Sequence, residues 1–78
     1  MSSATSATVQ QDPFQLGMMY STGGSNSADM IAAHKWFNIA AMRGNAEAAR
    51  LRREIAEEMS EAEIAAAQRE ARAWVTRH

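Results

Sequence analysis

Apolar and small residues recur along this chain at three- and four-residue intervals, and the pattern breaks at glycine and at polar capping residues. Leu16, Gly17, Met19 and Tyr20 form one such set, and Ala33, Trp36, Phe37, Ala40 and Ala41 form a second. Each set follows one side of an α-helix, and two facing stripes make a helix pair. The first helix has a compact start signal, with Asp12 at the N-cap, Pro13 at the first helical position and Gln15 three residues after the cap. Gly44 follows Ala-Ala-Met-Arg, so the second helix is expected to end there in a left-handed cap, with Arg43 in the last turn at the negative helix end. Asn45 can cap the next helix directly.

Two further helices are expected. From Asn45 to Met59, the side chains of Ala48, Leu51, Ile55 and Met59 share one face, while Arg50, Arg52, Arg53, Glu54 and Glu57 make a wide solvated one. Ser60-Glu61-Ala62-Glu63 is a capping box that opens the last helix. Its Ile64, Ala67, Ala71, Trp74 and Val75 form a narrow apolar seam. Gly17 and Ala33 suit positions of close helix approach, where a minimal side chain is required, and Trp36 and Phe37 would fill the remaining volume.

The positions Leu16-Gly17, Met19-Tyr20, Gly23, Asp29, Ala33, Trp36-Phe37, Ala40-Ala41, Gly44 and Ala48 span about half of the chain. Together they resemble the Sel-one-like repeat family, a relative of the tetratricopeptide repeats. Ser25 stands where that family usually has a second loop glycine, and Asn26 where a valine usually follows. The resemblance implies an all-α, tetratricopeptide-like α-α superhelix, with one helix-turn-helix repeat followed by two C-terminal capping helices. Arg52-Arg53 would occupy the next Leu-Gly position, so the repeat is not renewed. The resemblance also implies a non-enzymatic scaffold or adaptor for protein complexes, as members commonly are in bacterial signalling and envelope processes. In such a hairpin Met18 would point toward the concave groove, with Gln15 three residues before it and Arg50 and Glu54 at the corresponding places on the next first helix. Exposed methionine suits adaptable protein contacts. Packing of Met18 on the tail or on a second copy satisfies the same periodicity.

With 78 residues the chain has room for one domain, expected over residues 12–77 after a Ser/Thr-rich tail, 1–11, expected to be disordered. A domain this small buries only about 60 per cent of its unfolded surface. Repeat units need neighbours to cover their faces, so a protein partner or a homo-oligomer is expected. The tail lacks a basic start followed by an apolar core. No apolar run approaches the roughly 20 residues of a membrane span. Cytoplasm is the default expectation, and the absence of cysteine removes disulfides and thiol chemistry.

The remaining residues point away from catalysis, cofactors and metals. His34 and His78 are the only imidazoles, and His34, beside Lys35 and Trp36, reads as a partly exposed helix residue. Asp29 reads as a complement to a positive helix end. The arginines Arg50, Arg52, Arg53, Arg69, Arg72 and Arg77 are interleaved with Glu54, Glu57, Glu58, Glu61, Glu63 and Glu70, and the net charge is -1. Arg50 with Glu54 and Arg53 with Glu57 sit at i,i+4 spacing, as on a solvated helix face. Nucleic acid needs unneutralised positive charge, so it is not an expected ligand. The alanine-rich seam before Trp74 suits packing on protein better than insertion into lipid. Two alternatives to the adaptor share its fold: a homo-oligomer built by stacking of solenoid ends, and a small regulatory subunit of an enzyme.

Overall fold

The computed structural model describes residues 12–23 and 26–77; the expected disordered tail and the loop position Ser25 lie outside them. Among the described residues the fold is all-α, with no strand. Its elements are α1 (Pro13–Gly23), α2 (Ser27–Met42), α3 (Ala46–Ala56) and α4 (Glu61–Arg77).

Each helix begins on polar groups the sequence provides. The Gln15 amide donates to the Asp12 carboxylate at 3.3 Å, and Pro13 opens α1 where a missing N–H costs nothing. Asn26, the residue that departs from the repeat pattern, is the N-cap of α2 and accepts the Asp29 amide at 2.8 Å. Asp29 lies in the first turn, where its charge complements the helix dipole.

The α2–α3 junction is a Schellman motif. Gly44 takes φ +99°. Its amide donates to the Ala41 carbonyl at 2.9 Å and the Asn45 amide to the Ala40 carbonyl at 3.1 Å. The Asn45 side chain then accepts the Ala48 amide at 2.9 Å, so one residue closes α2 and opens α3. Arg43 is the C-cap residue and not part of the last turn.

The third helix is shorter than the Asn45–Met59 pattern suggests. It stops at Ala56, and the chain tightens into three-residue turns, with the Glu58 amide on Ile55 and the Met59 amide on Ala56. Those turns fold Met59 back into a buried position. The Ser60 and Glu63 capping box forms as read: the Glu63 amide donates to the Ser60 hydroxyl at 3.1 Å and the Ser60 amide to the Glu63 carboxylate at 2.8 Å.

Packing is organised on α2, which all three other helices contact, while those three make at most marginal contact with one another. One side of α2 carries Ala33, Phe37 and Ala40, buried with Ala48 of α3 and flanked by Phe14 and Tyr20 of α1 and by Leu51 and Ile55 of α3. The Phe14 and Phe37 rings meet at 5.9 Å and a 53° tilt. Gly17 explains the closeness of α1: a Cβ built there would lie 2.5 Å from Phe37 Cδ1 and 2.6 Å from Cε1. No side chain fits at that place.

The other side of α2 holds α4. Trp36 meets Trp74 edge to face at 5.4 Å and 76°, and the Arg43 guanidinium lies 5.3 Å from the Trp74 ring centre. At the opposite end Ser27 donates to the Glu63 carboxylate. Contacts that join start to start and end to end make α2 and α4 parallel. Ala67 and Ala71, both fully buried, let the two helices approach. Trp36 therefore belongs to the α4 contact and not to the α1 stripe. Ile39, fully buried on the helical line between Trp36 and Arg43, serves the same side.

Three other expectations are corrected. Met19 is 56% exposed and Val75 is 42% exposed, so neither lies in a core stripe. Both sit at the border of their apolar faces, where spacing alone does not fix burial. His34 is only 3% exposed and not a surface residue, because α2 is covered on two sides.

Candidate partner-binding face

Gln15 and Met18 lie on the exposed side of α1, and Arg50 and Glu54 on the exposed side of α3. Both helices rest on the same core side of α2, through Phe14 and Tyr20 in one case and Ala48, Leu51 and Ile55 in the other. No hydrogen bond or ion pair joins the α1 pair to the α3 pair. What they share is a support.

On α1, Met18 is 39% exposed and its neighbour Met19 more so. The Met18 carbonyl accepts the hydroxyls of Ser21 and Thr22, each at 3.0 Å, which fixes the last turn beneath the two thioethers. Gln15 is held through its backbone amide, leaving its side chain in solvent. The α1 face therefore offers two thioethers and an amide and carries no charge.

The α3 face is ionic and ordered. Arg50 pairs with Glu47 on one side and Glu54 on the other. Hydrogen bonding to Arg50 holds the Glu47 carboxyl below its ordinary range, and the Glu47 contact raises Arg50. Arg50 is thus not a free cation. The second expected pair, Arg53 with Glu57, does not form, although Glu57, the C-cap residue of α3, keeps helical backbone angles.

The structure also shows polar residues that periodicity did not single out. The Arg52 guanidinium donates to the Asn38 side chain at 2.7 Å, tying α3 to α2. His34, one turn before Asn38, is buried with no hydrogen-bond partner on Nδ1. Burial first, and the nearby Arg52 charge second, lower its pKa from 6.5, so the ring is neutral at pH 7. Glu63 is held below the ordinary carboxylate range chiefly by the Ser27 hydroxyl and then by the Ser60 amide. Among the described residues no group of three or more His, Cys, Asp or Glu is placed to hold a metal ion, and no helix is long and apolar enough to cross a membrane.

No family model, no curated protein and no solved structure matches the chain.

Proposed function

We propose that this chain is a small, non-enzymatic protein-interaction module, a scaffold or adaptor of the Sel-one-like, tetratricopeptide-like kind. The observation that carries the reading is the pair of exposed methionines, Met18 and Met19, on a helix otherwise anchored by Phe14, Gly17 and Tyr20. Thioethers on a rigid support adapt to a partner surface without cost to the receptor fold. The helix order supports the same reading: α1 and α3 share one side of α2, and α2 and α4 run parallel, as alternate helices do in stacked hairpins. Gln15 and Met18 would supply contacts on α1, and the ordered Arg50–Glu54 pair would supply directional ones on α3.

The experiment is affinity capture with the tagged full chain, with Met18→Glu as the control and circular dichroism to show that the control is folded. The expected result is a protein retained by the wild type, lost with Met18→Glu, and binding again when purified. Equal retention by both chains would refute the proposed face.

A further inference from the structure

We propose that the outward face of α4 pairs antiparallel with the same face of a second copy of this chain. The proposal rests on α4 and the turn that leads into it, and is independent of Met18 and Met19 on α1 and of the Arg50–Glu54 pair on α3.

Helix α4 has one substantial neighbour, α2, and turns Ala67 and Ala71 toward it. The opposite side carries Ala62, Ala65, Arg69, Arg72, Ala73 and Thr76, all exposed except the half-buried Ala65. Along this side the exposed charges run from acidic to basic, with the exposed Glu70, on the flank beside Arg77, as the exception. Glu57, Glu58 and Glu61 are exposed at its start, and Arg69, Arg72 and Arg77 are exposed toward its end. None of the six forms an ion pair within the described chain, where both ion pairs belong to Arg50.

The helix dipole accounts for Glu61 in the first turn and Arg77 in the last. It does not account for Arg69 and Arg72, which precede the last turn, or for Glu57 and Glu58, which lie outside α4 altogether. A two-fold axis near the middle of the face, between Ala65 and Arg69, accounts for Arg72 and Glu57, while Arg69 comes to lie opposite Ala65 of the other copy. It sets Glu61 opposite Arg72 of the other copy, and Glu57 opposite Arg77 of the other copy. A parallel arrangement would oppose like charges. Arg69, Arg72, Thr76 and Arg77 rim a shallow depression over Ala73, a seat for the acidic turn of the second copy. The alanines at 62, 65 and 73 permit a close helix crossing, at about 8 Å between axes.

A 17-residue helix is about 25 Å long, and one helix pair covers less than the roughly 1,600 Å² of a standard interface. Association is therefore reversible, and because exposed charges direct it, it weakens with salt. Sedimentation equilibrium of the full chain at low salt, up to about 1 mM, should show the mass rising from 8.5 kDa toward twice that value, and falling back in about 0.5 M salt. The double variant Arg72→Glu with Arg77→Glu should stay monomeric, as should Glu57→Arg with Glu61→Arg. An equimolar mixture of the two should associate again, which a general loss of folding would not produce. All four positions are exposed, and circular dichroism checks that each variant is helical. A wild-type chain that stays at 8.5 kDa overturns the proposal and leaves the face to an acidic partner of another sequence. Association unaffected by charge reversal, or not recovered in the mixture, overturns the antiparallel arrangement.

Discussion

Gly17→Ala adds one methyl group to a helix, a change that elsewhere in a helix interior stabilises by about 1 kcal/mol. Here the sign should reverse. The added carbon would stand 2.5 Å from Phe37 Cδ1 and 2.6 Å from Cε1, against the 3.5–4.0 Å of an ordinary carbon contact. One ring edge must therefore retreat by about 1 Å. Phe37 is 1% exposed and meets Phe14, so the ring has no solvent to move into and α1 must lift from α2 instead. Such overpacking costs about 1–3 kcal/mol, leaving a net loss of up to about 2 kcal/mol after the propensity gain. In a domain of this size that lowers Tm by up to about 15 °C, read by far-UV circular dichroism. Gly17→Leu should unfold the domain outright. The cycle with Phe37→Leu isolates the cause: with the ring gone, Gly17→Ala should become neutral or stabilising, a coupling of about 1–3 kcal/mol. If Gly17→Ala equals or exceeds the wild type in stability, the α1–α2 packing described above is wrong.

Gly44→Ala tests backbone conformation without packing, since φ is +99° and a Cβ there would meet nothing within 4 Å. Urea denaturation should show a loss of about 1–2 kcal/mol, and an unchanged midpoint would remove the left-handed cap from the account. Phe37→Ala should cost about 3–5 kcal/mol in the same assay, and a loss below about 1 kcal/mol would place the ring outside the core. His34 should make stability depend on pH. Its folded pKa lies below 6.5, so the unfolded chain binds the proton more readily; the stability present above 6.5 is lost as pH falls toward the folded value. The Tm should drop on acidification from about pH 7 to pH 5 and stay flat in His34→Leu, whereas Glu47 and Glu63 enter only as pH falls below 4.5. A wild-type Tm as flat as that of the variant would contradict the buried neutral ring.

What the sequence made legible is what it encodes within a few residues. Asp12-Pro13, the Arg43-Gly44-Asn45 junction and Ser60 with Glu63 each satisfy backbone groups three to five positions away, and each cap stands where the pattern puts it. The size of Gly17 and the bulk of Phe37 were readable as a pair because a close approach leaves such a contrast. The division of α2 between its neighbours was not readable. Most of its circumference is apolar or small, so spacing joins Trp36 to Phe37 although they face different helices, and it passes over Ile39. Contacts such as Arg52 with Asn38, or Ser27 with Glu63, span 14 and 36 residues and leave no local mark. Gln15, Met18, Arg50 and Glu54 are exposed, and so is the second methionine, Met19, which spacing places inward because it borders the stripe.

A helix that serves three neighbours places an unusual demand on composition. Phe37 and Ile39 are the largest fully buried side chains, and the other fully buried positions, Ala33, Ala48, Ala67 and Ala71, are alanine. These alanines contribute little transfer free energy of their own; their role is to let α1, α3 and α4 come close enough to α2 for backbone and neighbouring side chains to exclude water. Enlarging one of them should therefore harm the fold, because the added volume would push two packed helices apart. The same economy explains the outward side of α4. Its inner side is satisfied by Ala67, Ala71 and a terminal contact at each end, Ser27 with Glu63 and Trp36 with Trp74. Among the described residues α3 is at most marginally in contact with it, so its outer side is left open. The helix dipole accounts for Glu61 and Arg77 in the first and last turns, and pairing with a second copy accounts for Arg72 and Glu57.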